Sequence, residues 1–215
     1  MSTALPRDFL FGVATADHQC EAYEPRFEDI HDYWEKSHPR TPRGSATDFS
    51  HRYLEDIALA AGLGCNLFRF SVAWARAEPR AGEYDRAVLK HYRDVAEAIK
   101  AAGMEPMVTL HHFNWPIHLQ RRGGLIAPDF PKILERFTEE VVRNLGDIVR
   151  YWITINEPSV LISGYLKPWW QRDYALPPGM GADAGSIEQT EALAKLIPNL
   201  FLANRLAREA IEAQP

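Results

Sequence analysis

Four short apolar runs, at residues 9–15, 65–72, 105–113 and 151–156, are each followed by a stretch whose apolar residues have helical spacing. This alternation constrains the fold more than any other feature of the sequence. Successive strands joined through helices lie parallel, with the helices packed outside the sheet. The first run, Phe9-Leu10-Phe11-Gly12-Val13-Ala14-Thr15, is not followed by a Gly-rich phosphate loop, which argues against a nucleotide-binding sheet.

The helical stretches differ in clarity. Residues 22–49 are polar, rich in Pro, Arg and Asp, and read as an extended loop. Residues 51–61 put Leu54, Ile57, Ala58 and Ala61 on one helical face, which Gly62 and Gly64 terminate. Asp85 has the place of a helix cap, Val88, Tyr92, Val95 and Ile99 share the face that follows, and Gly103 stands where a left-handed terminator belongs. Residues 131–149 carry the clearest stripe, Leu134, Phe137, Val141, Leu145 and Ile148. A long loop is expected over 157–185. Ser186 and Gln189 then have capping-box spacing, and Leu193, Leu196, Leu200, Ala207 and Ile211 form a last face, which Pro198 is predicted to kink. No low-complexity tract or fixed period divides the chain, so residues 1–215 read as one domain and not a solenoid.

Two closures of such an α/β sheet are open: a small doubly wound sheet, or half of an eight-stranded barrel. In both, ligands gather at the carboxyl ends of the strands. Polar residues stand at each of those ends: Gln19 and Glu21 after the first, Arg69 and Ser71 in the second, His111, His112 and Asn114 at the third, Asn156 and Glu157 at the fourth.

With 215 residues, the chain is long enough for one sizeable core and short for two. Net charge is −5, and Lys and Arg are spread without a basic block, so neither nucleic acid nor an anionic membrane is an expected partner. The N-terminus has no cationic stretch followed by an apolar run, and no segment is long enough to span a bilayer, which gives the expectation of a cytoplasmic protein. Cys20 and Cys65 stand singly among apolar residues and read as buried thiols. Aromatic residues make up 11% and cluster in His112-Phe113-Asn114-Trp115 and Pro168-Trp169-Trp170. Such rings stack on the apolar faces of sugars, and they equally fill large cores.

Glu157 is the sharpest chemical candidate. It ends the apolar strand Tyr151-Trp152-Ile153-Thr154-Ile155 and precedes Pro158. Partial shielding there would disfavour the anion and suit a general acid. Asn156 beside it can donate to a sugar hydroxyl. Arg69, in Leu67-Phe68-Arg69-Phe70-Ser71, needs a carboxylate partner in so apolar a strand, either Glu157 or one outside this chain. A buried ion pair with no catalytic role accounts for Arg69 equally well. Gln19 and Glu21 share a face. His111 and His112, adjacent on a strand, point to opposite faces, one toward a ligand and one outward. Without an HExxH pattern or a Cys pair, no metal or other cofactor is expected. Ser71 lacks the Gly-x-Ser-x-Gly elbow of a serine triad.

Taken together, Phe9 to Glu21, Phe68-Arg69-Phe70-Ser71-Val72-Ala73-Trp74, Thr109-Leu110-His111-His112-Phe113-Asn114-Trp115-Pro116 and Trp152-Ile153-Thr154-Ile155-Asn156-Glu157-Pro158 resemble, in order, the first four strand motifs of family 1 glycoside hydrolases, the β-glucosidase group. The likeness covers nearly all of residues 8–213. It implies a (β/α)8 barrel, of which this chain covers the first four strand–helix units, and a retaining mechanism on β-glycosides or oligosaccharides. Glu157 would be the acid/base, Arg69 would hold and acidify the nucleophilic glutamate, and Gln19, His112 and Asn156 would bind the hydroxyls of the sugar. Trp169 and Trp170 would flank the leaving group.

The sequence also departs from the family pattern. Ala22 replaces the usual Gly, Leu125 the usual Trp after Gly123-Gly124, Asn114-Trp115 the usual Asp-Leu, and 167–178 is unlike the common form. The family's nucleophile, a Glu on the seventh strand, has no counterpart among these residues. The expectation is therefore a truncated half barrel, inactive alone, whose partner is a complementary C-terminal half. The alternative is a non-catalytic, glycan-binding half barrel that forms a homo-oligomer.

Overall fold

A computed structural model of the chain describes residues 6, 8–37, 42–164 and 186–213. One sheet holds four parallel strands in the order β1 (Gly12–Ala14), β2 (Leu67–Ser71), β3 (Glu105–His111) and β4 (Tyr151–Ile155). Between β1 and β2 lie α1 (Asp17–Cys20), α2 (Ile30–Ser37) and α3 (Phe49–Gly62). Between β2 and β3 lie α4 (Trp74–Ala77) and α5 (Arg86–Ala101), and between β3 and β4 lie α6 (Ile117–Gln120) and α7 (Phe130–Leu145). After β4 come α8 (Pro158–Gly164) and α9 (Ile187–Glu212).

Strand alternation sets the two faces of the sheet. Phe68 stacks on Phe49 of α3 at 5.9 Å, and Phe70 on Tyr92 of α5 at 6.3 Å. Arg69 and Ser71 therefore turn to the opposite face. The apolar stripes expected on α5 and α7 are buried, with Val95, Ile99, Leu134, Phe137, Val141 and Leu145 all at 0% exposure. α3 packs on α5, α5 on α7, and α7 on α9. A doubly wound sheet reverses its strand order at a switch point. This sheet does not, and its helices follow one another around it, as in the winding of a barrel.

Local chemistry explains the element ends. Asp85 Oδ1 accepts from the backbone nitrogens of Ala87 at 2.9 Å and Val88 at 3.2 Å, and Ser186 Oγ accepts from the nitrogen of Gln189 at 3.2 Å; each is an N-cap. Gly103 has φ +81°, the left-handed terminator expected of it. Gly12 is required by proximity: a Cβ there would lie 2.2 Å from the carbonyl oxygen of Leu67. Cys65 is buried and Cys20 half-buried, both free thiols.

Three expectations are corrected. Residues 22–49 are not an extended loop throughout, since α2 forms within them. Its start is built by Asp29 and Asp32: the nitrogen of Asp32 donates to Asp29 Oδ1 at 2.9 Å, and the nitrogen of Asp29 to Asp32 Oδ2 at 3.1 Å. This reciprocal pair has the logic of a capping box, with two aspartates. On α3 the buried face is Phe49, Ile57 and Ala60, while Leu54 and Ala58 are exposed. The helix begins earlier than expected, and the stacking of Phe49 on Phe68 sets its phase. Finally, α8 occupies the start of the stretch read as a loop after Glu157, with Pro158 at its favourable first position. α9 runs on through Pro198, and Asn199 Nδ2 donates to the carbonyls of Leu125 and Ala127.

Neither β1 nor β4 has a second strand partner among the described residues. Phe9, Phe11 and Val13 are exposed along the β1 edge, and Phe201 of α9 is exposed beyond β4. No described helix is long and apolar enough to cross a membrane.

Candidate active site

The sheet brings the strand-end residues to one level. Backbone bonds continue past the strands, from Thr15 nitrogen to Arg69 oxygen at 2.8 Å and from Asn156 nitrogen to His111 oxygen at 2.9 Å. Arg69 Nη1 lies 3.5 Å from Asn156 Oδ1. The His112 ring is buried. Burial lowers its pKa, as does the charge of Arg69, against the opposing pull of Asp17 and Glu157, so it stands as a neutral imidazole with both donor and acceptor capacity. Gln19, on α1 just beyond β1, is exposed, and so is Glu157.

Two backbone conformations single out this end of the sheet. Glu157 has φ +41° and Phe113 has φ +61°, each directly after a strand-end polar residue. Residues other than glycine enter the left-handed region at a cost, and such conformations cluster at active sites.

Several sequence readings change here. The partial shielding expected of Glu157 is not provided by the described residues, in which four strands form one wall and Glu157 is exposed. Glu21 does not share a face with Gln19. It is 1% exposed, accepts from Tyr92 Oη at 2.8 Å, and pairs with Arg76 Nε at 3.0 Å. Burial raises its pKa to about 7, with Arg76 opposing. Of the two carboxylates expected for Arg69, Glu157 forms no ion pair with it among the described residues, which leaves the one outside this chain; Arg69 Nε is buried without a hydrogen-bond partner. His111 and His112 part as expected. His111 is fully buried, stacked on Trp115 at 5.9 Å and edge-on to Trp74 and Phe130, and burial lowers its pKa to about 3. Trp169 and Trp170 lie outside the described residues.

Sequence reasoning missed the polar layer beside these residues. His18 Nδ1 is 3.0 Å from Asp29 Oδ2, and its Nε2 is 3.1 Å from Glu35 Oε1. Arg43 lies 3.4 Å from Asp29 and 2.7 Å from Asp32. Burial pushes the His18 pKa down, but the hydrogen bond and charge of Asp29 outweigh it and raise it to about 9. Asp29 is held well below the usual carboxylate range against its own burial, chiefly by His18 and Arg43. Asp32 is raised to about 6 by burial and by the charge of Asp29. His18, Asp29 and Asp32 offer ligand atoms within 4.8 Å of one another, the spacing of a metal site. The Arg43 guanidinium already supplies positive charge between the carboxylates. The available signal was Asp29 and Asp32, three apart, among Phe27, Ile30 and Trp34 at helical spacing.

The sequence profile of Glycosyl hydrolase family 1 matches residues 1–209. The chain belongs to glycosyl hydrolase family 1. Coniferin beta-glucosidase of Pinus contorta is 36% identical, over 73% of this chain and 32% of that protein. The crystal structure of beta-glycosidase BGL167 matches with TM-score 0.79 and 36% identity over 97% of this chain and 53% of that one. The beta-glycosidase from Pyrococcus horikoshii matches with TM-score 0.83 and 28% identity over 99% and 47%. The chain thus spans about a third to a half of the length of the family 1 relatives it matches. The family 1 structures are TIM barrels, and the four parallel strands with their helices are half of one.

Proposed function

We propose that these residues are the acid/base half of a retaining β-glycosidase acting on β-glucosides and related β-linked oligosaccharides. The observation that carries the reading is Glu157 in a left-handed conformation at the carboxyl end of β4, beside Asn156, with Arg69 and His112 around it. Relatives named as beta-glucosidases support the substrate class.

In this reading Glu157 protonates the departing glycosidic oxygen, then takes a proton from the water that releases the sugar. Gln19, His112 and Asn156 hydrogen-bond the hydroxyls of that sugar, and the neutral His112 can both give and accept. A retaining reaction needs a second carboxyl about 5–5.5 Å from the first. A complementary half barrel, later in the polypeptide or as a separate chain, would carry it. The orphaned Nε of Arg69 supports that arrival, because an incoming carboxylate would pair with it and be held ionised. The same half would cover the apolar edges at Phe11 and Phe201 and shield Glu157.

The test is complementation. Residues 1–215 alone are expected to turn over no aryl β-glucoside, and the C-terminal half of a family 1 relative added in trans restores turnover. Sugar-dependent stabilisation with no turnover under any complementation would instead favour a self-associating glycan-binding half barrel.

A further inference from the structure

Gln19 sits on α1, a helix of four residues whose only buried side chain is that of Asp17. Asp17 is 3% exposed, and its carboxylate has two fixed partners. Oδ1 accepts from Ser71 Oγ at 2.8 Å, and Oδ2 accepts from Asn114 Nδ2 at 2.6 Å. The Asp17 backbone nitrogen also donates to Ser71 Oγ, at 2.7 Å. Ser71 ends the strand that carries Arg69, and Asn114 lies two residues beyond His112. One buried carboxylate therefore ties the turn bearing Gln19 to the two strands bearing Arg69 and His112.

Asn114 has a second partner. The same amide nitrogen donates to Asp29 Oδ2 at 2.9 Å, and Asp29 also binds His18, the residue before Gln19. We propose that Asp17 and Asn114 are positioning residues of the sugar site, acting through Gln19 and His112, and that position 114 must be an amide to serve two carboxylates at once. The inference rests on the reading of Gln19 and His112 as sugar-binding residues. A carboxylate at 114 would face Asp17 and Asp29 across hydrogen-bond distance and repel both. Charge, more than apolar packing, then fixes where Gln19 stands.

Hydrogen exchange on the 215-residue chain tests this. The amides of Cys20 and Glu21 bond back to Ala16 and Asp17 and report the order of α1. Asn114→Asp is expected to speed their exchange about tenfold or more, while amides of α7 keep their rates. The exchanged pair Asp17→Asn with Asn114→Asp restores one amide–carboxylate bond and should return the rates to within about threefold of the parent. Unchanged exchange at 20–21 in the single variant would overturn the proposal, as would an equal rise in α7 or a double variant no better than the single one. In the chain complemented by a C-terminal half, Asn114→Asp should lower kcat/KM about tenfold and the double variant recover it. A complemented parent that neither turns over a β-glucoside nor is stabilised by sugar would refute the sugar reading while leaving the exchange result standing.

Discussion

Arg69 reaches from β2 across β3 to the side-chain oxygen of Asn156, 3.5 Å away, and so joins the second strand to the residue that precedes Glu157. At the same time its Nε is buried with no hydrogen-bond partner among the described residues. A half-partnered guanidinium costs stability and does not add it. Arg69→Met in the isolated chain is therefore expected to leave stability unchanged or raise it by about 1 kcal/mol. Thermal unfolding reads this out, and a clear drop in Tm would mean that Arg69 serves the fold.

Gly12 has no room for a side chain. Gly12→Ala would drive a methyl against the carbonyl of Leu67, which cannot move without breaking the β1–β2 pairing. The expected loss is about 1–3 kcal/mol, the range of overpacked sites, measured by chemical denaturation. A loss under about 0.5 kcal/mol would mean that β1 is not docked as described.

Asp85→Ala removes both hydrogen bonds at the start of α5. It should cost about 1 kcal/mol, and Asp85→Asn much less, because an amide oxygen still caps. Equal losses from the two variants would point away from capping.

Two buried groups make contributions to stability that fall as pH rises, opposite in sign to that of the buried, neutral His111. Glu21 binds its proton more tightly folded than unfolded, so its contribution is full below about pH 4.5 and lost as pH rises through about 7. His18 behaves alike, its contribution full below about pH 6.5 and lost as pH rises through about 9. Each supplies on the order of 3 kcal/mol. Denaturation midpoints across pH 4–10, taken as differences from the parent, check this: the parent's advantage over Glu21→Gln should shrink as pH rises from about 4.5 to 7, and its advantage over His18→Gln as pH rises from about 6.5 to 9. A difference that stays constant, or grows with pH, across its window would contradict that residue's assignment.

The sequence made some of this plain and hid the rest for physical reasons. α5 was legible because its stripe and its caps agree, and α7 because its apolar stripe is unbroken. The face of α3 was not, because Leu54, Leu59 and Leu63 are apolar yet exposed, and the phase comes from Phe49 meeting Phe68 on another element. α2 was hidden because its start depends on two aspartates that read as loop residues. At the site, position alone put Arg69, the His111–His112 pair, Asn156 and Glu157 at strand ends, since such residues need only the strand to be placed, and the family resemblance chose His112 from its pair. Glu21 was misread because its partners, Arg76 and Tyr92, lie far along the chain. The anchoring of Gln19 by Asp17 was equally invisible, since it depends on Ser71 and Asn114 arriving from other strands.

The role of Glu157 is tested most directly by leaving-group dependence in the complemented enzyme. Glu157→Gln keeps the shape and removes the proton. For an alkyl β-glucoside, whose departing oxygen needs protonation, kcat/KM should fall about 10²–10⁴-fold. For a dinitrophenyl β-glucoside, whose leaving group departs without help, kcat/KM should stay within about tenfold of the parent. Equal losses on both substrates, or no loss on the alkyl glucoside, would contradict Glu157 as the proton donor.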